Sequence, residues 1–219
     1  MWVTAAMTYG QDAPPPLAPL PTVPKTSVSD QEGHGKISEL APPDVVASAV
    51  AAVAALGNEV VLGRYQVAIE RMNPTWKTRA AGRFQGGMKE MEKQLAGVAR
   101  QMVQQGISMI SFKPSGRPRS YEVGIGKKVE IVNGEQVESQ VFNKWMVLVP
   151  TVTQFRITRQ NEKTLVIDSV GFQVAVSDKE QLDWTFIDGA NLTINDLRGL
   201  FVNLPLDMQF PTVEKHESR

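Results

Sequence analysis

Phe142-Asn143-Lys144-Trp145-Met146-Val147-Leu148-Val149-Pro150-Thr151-Val152-Thr153-Gln154-Phe155-Arg156-Ile157-Thr158 is rich in β-branched and aromatic residues and reads as one long strand. Val147, Val149, Thr151, Thr153, Phe155 and Ile157 recur at every second position, so they share one face of extended backbone. Pro150 cannot donate to a ladder and predicts a bulge or a free edge. Gln160-Asn161-Glu162-Lys163 turns the chain, and Leu165 to Ser177 returns beside the first strand, with Gly171 as a bend. Two such runs joined by a short polar link make an antiparallel pair.

Period two extends in both directions from this pair. Upstream, from Ile107 onward, Val123, Ile125, Val129 and Ile131 line a further strand, and Asn133-Gly134 is a strong hairpin signal. Downstream, Trp184 to Ile187 is a short strand whose rings Trp184 and Phe186 fall on one face, expected to close against the helices. Asp188-Gly189 then turns the chain. Thr193-Ile194-Asn195-Asp196 is a capping-box-like start for a short helix whose Leu197, Leu200 and Phe201 would continue the same seal.

The N-terminal half has the period of helices. Val46, Ala49, Val50, Val53 and Leu56 form a stripe after Pro42-Pro43-Asp44, and Gly57-Asn58 reads as a stop and a new cap. A second helix over about Glu59 to Met72 carries Val61, Tyr65, Ala68, Ile69 and Met72, and Asn73-Pro74 ends it. After a loop from Gly82 to Gly87, a third carries Met88, Met91, Leu95, Val98, Met102 and Val103, up to Gly106. Helices followed by a run of strands predict an α+β fold: three N-terminal helices on a curved antiparallel sheet of four to five strands, with a short C-terminal helix.

The ends are of different composition. Residues 14–24 hold Pro14, Pro15, Pro16, Pro19, Pro21 and Pro24, and polar residues follow to Glu39. Residues 1–41 are therefore expected as a flexible Pro-rich arm, a spacer rather than a ligand for a Pro-binding domain. The domain runs over 42–211, and 212–219 is expected as a flexible tail. Ala5 and Ala6 lie a few residues before Gln11-Asp12-Ala13, like the end of a secretory signal. Two readings stand: export to the periplasm or outside the cell, or an ordinary N-terminus on a cytoplasmic protein.

With 219 residues, 42% hydrophobic and 21% charged, the chain has the composition of a globular protein. Its formal net charge of +0 and scattered Lys and Arg give no field for nucleic acid. Having no Cys, it has no disulfide, thiolate nucleophile or zinc–thiolate site. The most apolar stretch, Val45 to Leu56, is shorter than the roughly 18–20 residues of a membrane span and reads as a buried helix, so no transmembrane segment is expected.

The stretch Gly57 to Pro211 resembles the NTF2-like, cystatin-type cone fold, and within it a group of uncharacterised exported bacterial proteins. The resemblance rests on Asn73-Pro74, Gly86-Gly87-Met88, Gln105-Gly106-Ile107 and Val149-Pro150-Thr151. It rests most on Val176-Ser177-Asp178 followed by Trp184-Thr185-Phe186-Ile187-Asp188-Gly189, then Leu197-Arg198-Gly199-Leu200-Phe201 and Leu204-Pro205. Lys179-Glu180-Gln181-Leu182-Asp183 departs from the Gly-Gly-Lys turn that such relatives often carry. The resemblance implies a cone with a pocket. It does not choose among the isomerases, dehydratases, transport factors and binding domains of that superfamily.

Candidate chemistry is sparse. The two His, His34 and His216, sit in the predicted flexible ends, so no Ser-His-Asp triad or His-based metal site is expected in the core, and no cofactor is implied. Asp168 shares a row with Val166, Val170, Phe172 and Val174; on a concave apolar face it would have a raised pKa and serve as a general base, as the pocket Asp of steroid-isomerase relatives does. A bulge at Gly171 would instead turn it to the wet face. Tyr65 could donate a hydrogen bond into a pocket or be core with its hydroxyl at the rim. Gln154 and Arg156 could bind a carboxylate ligand or be solvated sheet surface. Gly86-Gly87 and Gly124-Ile125-Gly126-Lys127 lack the context of phosphate loops, and Thr193 in Asn191-Leu192-Thr193 is better explained as a helix cap than as part of a glycosylation site. The leading expectation is a non-enzymatic domain whose cone holds a small apolar ligand or whose sheet pairs with a second copy as a homodimer. The alternatives are an acid–base enzyme, an isomerase or dehydratase using Asp168 and Tyr65, and a structural envelope protein.

Overall fold

The computed structural model describes residues 41–132, 135–159, 162–201 and 204–218. The expected arm, apart from Ala41, lies outside these residues, as do His34, the Asn133-Gly134 turn and the first half of the Gln160–Lys163 link. The described residues form an α+β fold built on an open antiparallel sheet of six strands.

Four helices precede the sheet where the sequence predicts three. Pro43 and Asp44 occupy the first turn of α1 (Pro43–Val61), which buries Val45, Ala49, Val53, Leu56 and Gly57. The stop expected at Gly57-Asn58 is absent, because Gly57 answers a tertiary demand. A Cβ built there would lie 1.9 Å from Cδ1 of Phe112, so the hydrogen makes room for that ring. Gly63, at φ 79°, ends this part of the chain instead, in a left-handed turn that a side chain disfavours. At 19 residues and mean hydropathy 1.6, α1 is long and apolar enough, by length and composition, to cross a bilayer. That corrects the expectation that no run approaches such a length, which stopped the helix at Leu56. Here its stripe packs on the sheet.

The predicted second helix divides into α2 (Tyr65–Glu70) and α3 (Pro74–Ala81). Asn73-Pro74 both closes one and opens the next. The Asn73 side chain accepts a hydrogen bond from the Trp76 backbone N–H at 3.1 Å, and Pro74 takes a first-turn position where its missing donor costs nothing. After the loop, α4 (Gly87–Gln104) leads into the sheet through Gly106.

The sheet is organised around β3 (Glu135–Ile157). Along one edge it pairs first with β2 (Arg119–Val132) and then with β1 (Ile107–Pro114); along the other it pairs with β4 (Leu165–Asp178). The far edge of β4 takes β5 (Thr185–Asp188) and then β6 (Glu214–Glu217). Pro150 sits between the last partner in β2, Arg119 opposite Leu148, and the last in β1, Pro114 opposite Thr151, so its missing donor leaves no ladder bond unmade. The β3–β4 register is unbroken through Gly171. Glu214–Glu217, expected as flexible tail, is instead edge strand β6.

Both faces of the centre of β3 are covered. On one face, Ala49, Val53 and Leu56 of α1 pack with Trp145, Val147, Val149, Ala175, Trp184 and Phe186. The indole of Trp184 donates to Ser48 Oγ at 3.0 Å. On the other, Met146, Leu148, Phe172 and Val174 pack with Leu192, Leu197, Phe201, Leu204 and Met208 from the chain after β5. This second cover includes α5 (Ile194–Arg198), which starts with a full Thr193–Asp196 capping box. The helices are thus not confined to one face, and α5 seals the side opposite Trp184 and Phe186 rather than extending their seal.

Two outcomes test this packing. Gly57→Ala should destabilise the protein by about 1–3 kcal/mol through overpacking, although Ala is the better helix former. In a Phe112→Ala background the same change should be neutral or stabilising, and denaturant unfolding of the four proteins measures both. Trp184→Ala, at a site 4% exposed, should cost about 3–5 kcal/mol and lower the melting temperature sharply.

Candidate functional site

Cover by α1 ends before β3 does. Where the helix layer parts from the Thr151–Phe155 half of β3, a cleft of about 760 Å³ opens between sheet and helices. Its floor is Thr151, Thr153 and Phe155 of β3 with Ser169 and Gly171 of β4. Leu56 and Val60 of α1 and Tyr65, Ala68 and Ile69 of α2 form one wall, and Met109 and Phe112 of β1 another. Trp76, Phe186 and Asp188 also line it, and Val213, Glu214 and Lys215 stand at the β6 side. The lining is more apolar than polar, with Thr151, Thr153, Ser169, Gln173 and Asn191 among its polar members, and a concave site of that kind suits a small molecule.

Asp188 is the distinctive polar group. It ends β5 opposite Gln173 of β4, and Gln173 Nε2 donates to its carboxylate at 3.1 Å. The backbone amides of Ala190 and Gly189 are polar neighbours of the same carboxylate. These polar neighbours favour the charged form, yet the pKa of Asp188 is raised, because the protein atoms around the carboxylate displace part of its solvent and that loss outweighs them. The side chain still has an open path to water through the mouth of the cleft. A carboxyl group so placed can accept a hydrogen bond when charged and donate one when protonated.

Tyr65, a sequence candidate, lines the cleft. The other three do not. Asp168 lies in the row read from the sequence, beside Val166, Val170, Phe172 and Val174, but that row faces away from α1. No bulge turned it: with an unbroken register, even-numbered residues of β4 share the face of Met146 and Leu148, and the cleft floor is odd-numbered. Gln154 is the direct cross-strand partner of Asp168, and Arg156 is one pair further along the same face. His216 of β6 comes beside them, its Nε2 3.9 Å from Asp168 Oδ2, while Asp168 Oδ1 is buried without a hydrogen-bond partner among the described residues. Asp168 and Tyr65 are therefore on opposite sides of the sheet.

The sequence marks Asp188 only as a turn residue. The signal that finds it is the alternation of Trp184 and Phe186, which continues to Asp188 and puts all three toward the helices. Gly86-Gly87 caps and opens α4, and Gly124 and Gly126 lie within β2, where Asn143 of β3 fills the space their side chains would take. Among the described residues no three His, Asp or Glu side chains gather closely enough to hold a metal ion.

Comparison of the chain with family models, with curated proteins and with solved structures finds no match.

The raised pKa of Asp188 sets a sign for its pH dependence. Its folded state binds a proton more tightly than its unfolded state, so its contribution to stability is full below the unfolded pKa and is lost as pH rises through the folded pKa. Asp188→Asn removes the poorly solvated charge and keeps an oxygen for Gln173. The variant should melt above the parent at neutral pH, and the gap should close on acidification below the carboxylate range. Melting curves from acid to neutral pH check it.

Proposed function

We propose that this chain is a non-enzymatic binding domain of the NTF2-like cone kind, whose cleft takes a small ligand with an apolar body and one polar end. The observation that carries this reading is the pairing of a largely apolar hollow with Asp188, a carboxyl group of raised pKa in its lining. The apolar body gains by leaving water, and burying a side chain's worth of such surface is worth about 1.5–3 kcal/mol. A ligand hydroxyl or amine near Asp188 would replace solvent that the walls already exclude in part, which fixes orientation more than it adds affinity. The binding reading is favoured over an acid–base enzyme because Asp168 and Tyr65 do not share the cleft.

One observation keeps the enzymatic reading in second place. A carboxyl group with a raised pKa in a hollow that also holds a Tyr is the pair an isomerase or dehydratase needs. In that reading the base is Asp188 rather than Asp168.

The test is titration with a fluorescent apolar probe, 8-anilinonaphthalene-1-sulfonate, followed by displacement with medium-chain alcohols and amines. The parent should bind the probe saturably and release it to the competitors. Ala68→Trp, which fills the cleft from α2, should reduce binding by about tenfold or more, the equivalent of 1.4 kcal/mol, with the fold intact by circular dichroism. Equal probe binding in parent and Ala68→Trp would sink the proposal. Turnover of isomerase or dehydratase substrates that Asp188→Asn abolishes would put the second reading first.

A further inference from the structure

Beyond Lys144 the strands β2 and β3 leave the rest of the sheet and continue alone as a two-stranded ribbon from Val123 to Phe142. Neither core contains a residue of the ribbon beyond Val123. A two-stranded ribbon standing in water is marginal, and its unpaired edges and faces invite association. The register gives one face to Ile125 and Phe142, then Lys127 and Gln140, then Val129 and Glu138, then Ile131 and Gln136. Ile125, Phe142, Val129 and Ile131 are 50%, 38%, 59% and 74% exposed. Four apolar side chains are thus held in water on this face, against Val137, 46% exposed, on the other.

We propose that this face is a dimer interface, and that its occupant is the same face of a second copy of the chain, packed antiparallel about a two-fold axis lying across the strands. The charge pattern chooses the occupant. On this face Lys127 lies toward the base of the ribbon and Glu138 toward its tip, while Lys128, Glu130 and Glu135 belong to the other face. A two-fold axis at the level of Lys128 reverses one ribbon against the other. The Ile125–Phe142 row of one protomer then faces the Ile131–Gln136 row of its partner, so apolar meets apolar at both ends. The Lys127–Gln140 row faces the Val129–Glu138 row, strand β2 over strand β2, so each lysine lies diagonal to a glutamate of the other protomer. Lys127 and Glu138 already pair at 2.5 Å within one ribbon, and the dimer joins two such pairs into a four-charge network. The same surface is used by both copies, as a closed two-fold pair requires. A face this narrow lies at the small end of specific interfaces, so the dimer is weak and depends on concentration.

Sedimentation velocity on the full chain over a range of concentrations tests this. The parent should shift from monomer to dimer as concentration rises. Ile131→Lys should weaken dimerisation by about tenfold or more while leaving the melting temperature unchanged, since the ribbon lies outside both cores. Lys127→Glu alone should weaken it as well, and the double variant Lys127→Glu with Glu138→Lys should restore it, because the reversed pattern still complements itself. Should Ile131→Lys fail to fold, the charge variants decide alone. A parent that stays monomeric throughout, or a Lys127→Glu variant that dimerises as the parent does, overturns the proposal.

Discussion

Between Trp145 and Val149 every side chain of β3 is buried, on both faces of the sheet at once. Such a strand needs two covers, and the chain supplies them from its two ends. α1 lays Ala49 and Val53 over Val147 and Val149, and the segment after β5 lays Leu197, Phe201 and Met208 against the face of Met146 and Leu148. Neither cover is optional, because stripping one would expose an apolar row worth several kcal/mol per large side chain. The two layers are also far apart in sequence, so closing the fold needs contacts between residues separated by more than a hundred positions. Trp184 with Ser48 is one of them. The hydrogen bonds of Arg71 and Asn73 with Thr185 and Phe186, which set Met72 beside Phe186 at the edge of β5, are others.

The cleft and the ribbon lie where those covers run out. Toward the C-terminal half of β3, α1 has ended and α2 diverges, and the cleft opens over Thr151, Thr153 and Phe155. Toward the N-terminal half, neither cover reaches past Lys144, and β3 continues with β2 into the ribbon. A single strand of 23 residues, about twice the usual length or more, thus carries a core at its centre and a different kind of exposed apolar surface at each end. The cleft is concave and keeps a carboxyl group. The ribbon is flat and carries charges of both signs along its length. Concavity suits a small molecule and flatness suits a protein surface, so the two features ask for different occupants and need not compete.

Much of this was legible in the residues, and the failures have physical causes. The period-two rows of β3 and β4 are real, and Asp168 does share a row with Val166 and Val170. What periodicity could not tell was which row meets the helices, because Met146 and Leu148 are as apolar as Val147 and Val149. A strand buried on both faces carries no polar row to mark the outside. The Thr193 cap was legible because capping is local. Gly57 was misread because a glycine in a helix usually marks an end, and only the ring of Phe112, distant in sequence, explains why it does not here. Asp188 was hidden by its neighbour: Asp-Gly is a turn signal strong enough to mask the strand alternation that Trp184 and Phe186 had already begun.

Asp168 and Asp188 make the same point about burial from opposite sides. Both stand on the β4–β5–β6 half of the sheet, and both have apolar neighbours in sequence. Asp188 lines a hollow, accepts a bond from Gln173, and still has its pKa raised by lost solvation, so its proton is sensitive to what fills the hollow. Asp168 has no hollow before it; the chain lays β6 beside it, with His216 as its cross-strand partner and Gln154 on its other side. The backbone pairing of β6 with β4, not a bond to the carboxylate, holds residues 214–218 there. An acidic residue in an apolar row is therefore not a site by pattern alone. What distinguishes the two is whether the concave side of the sheet lies in front of the carboxyl group, and that is fixed by where α1 and α2 part, not by either aspartate.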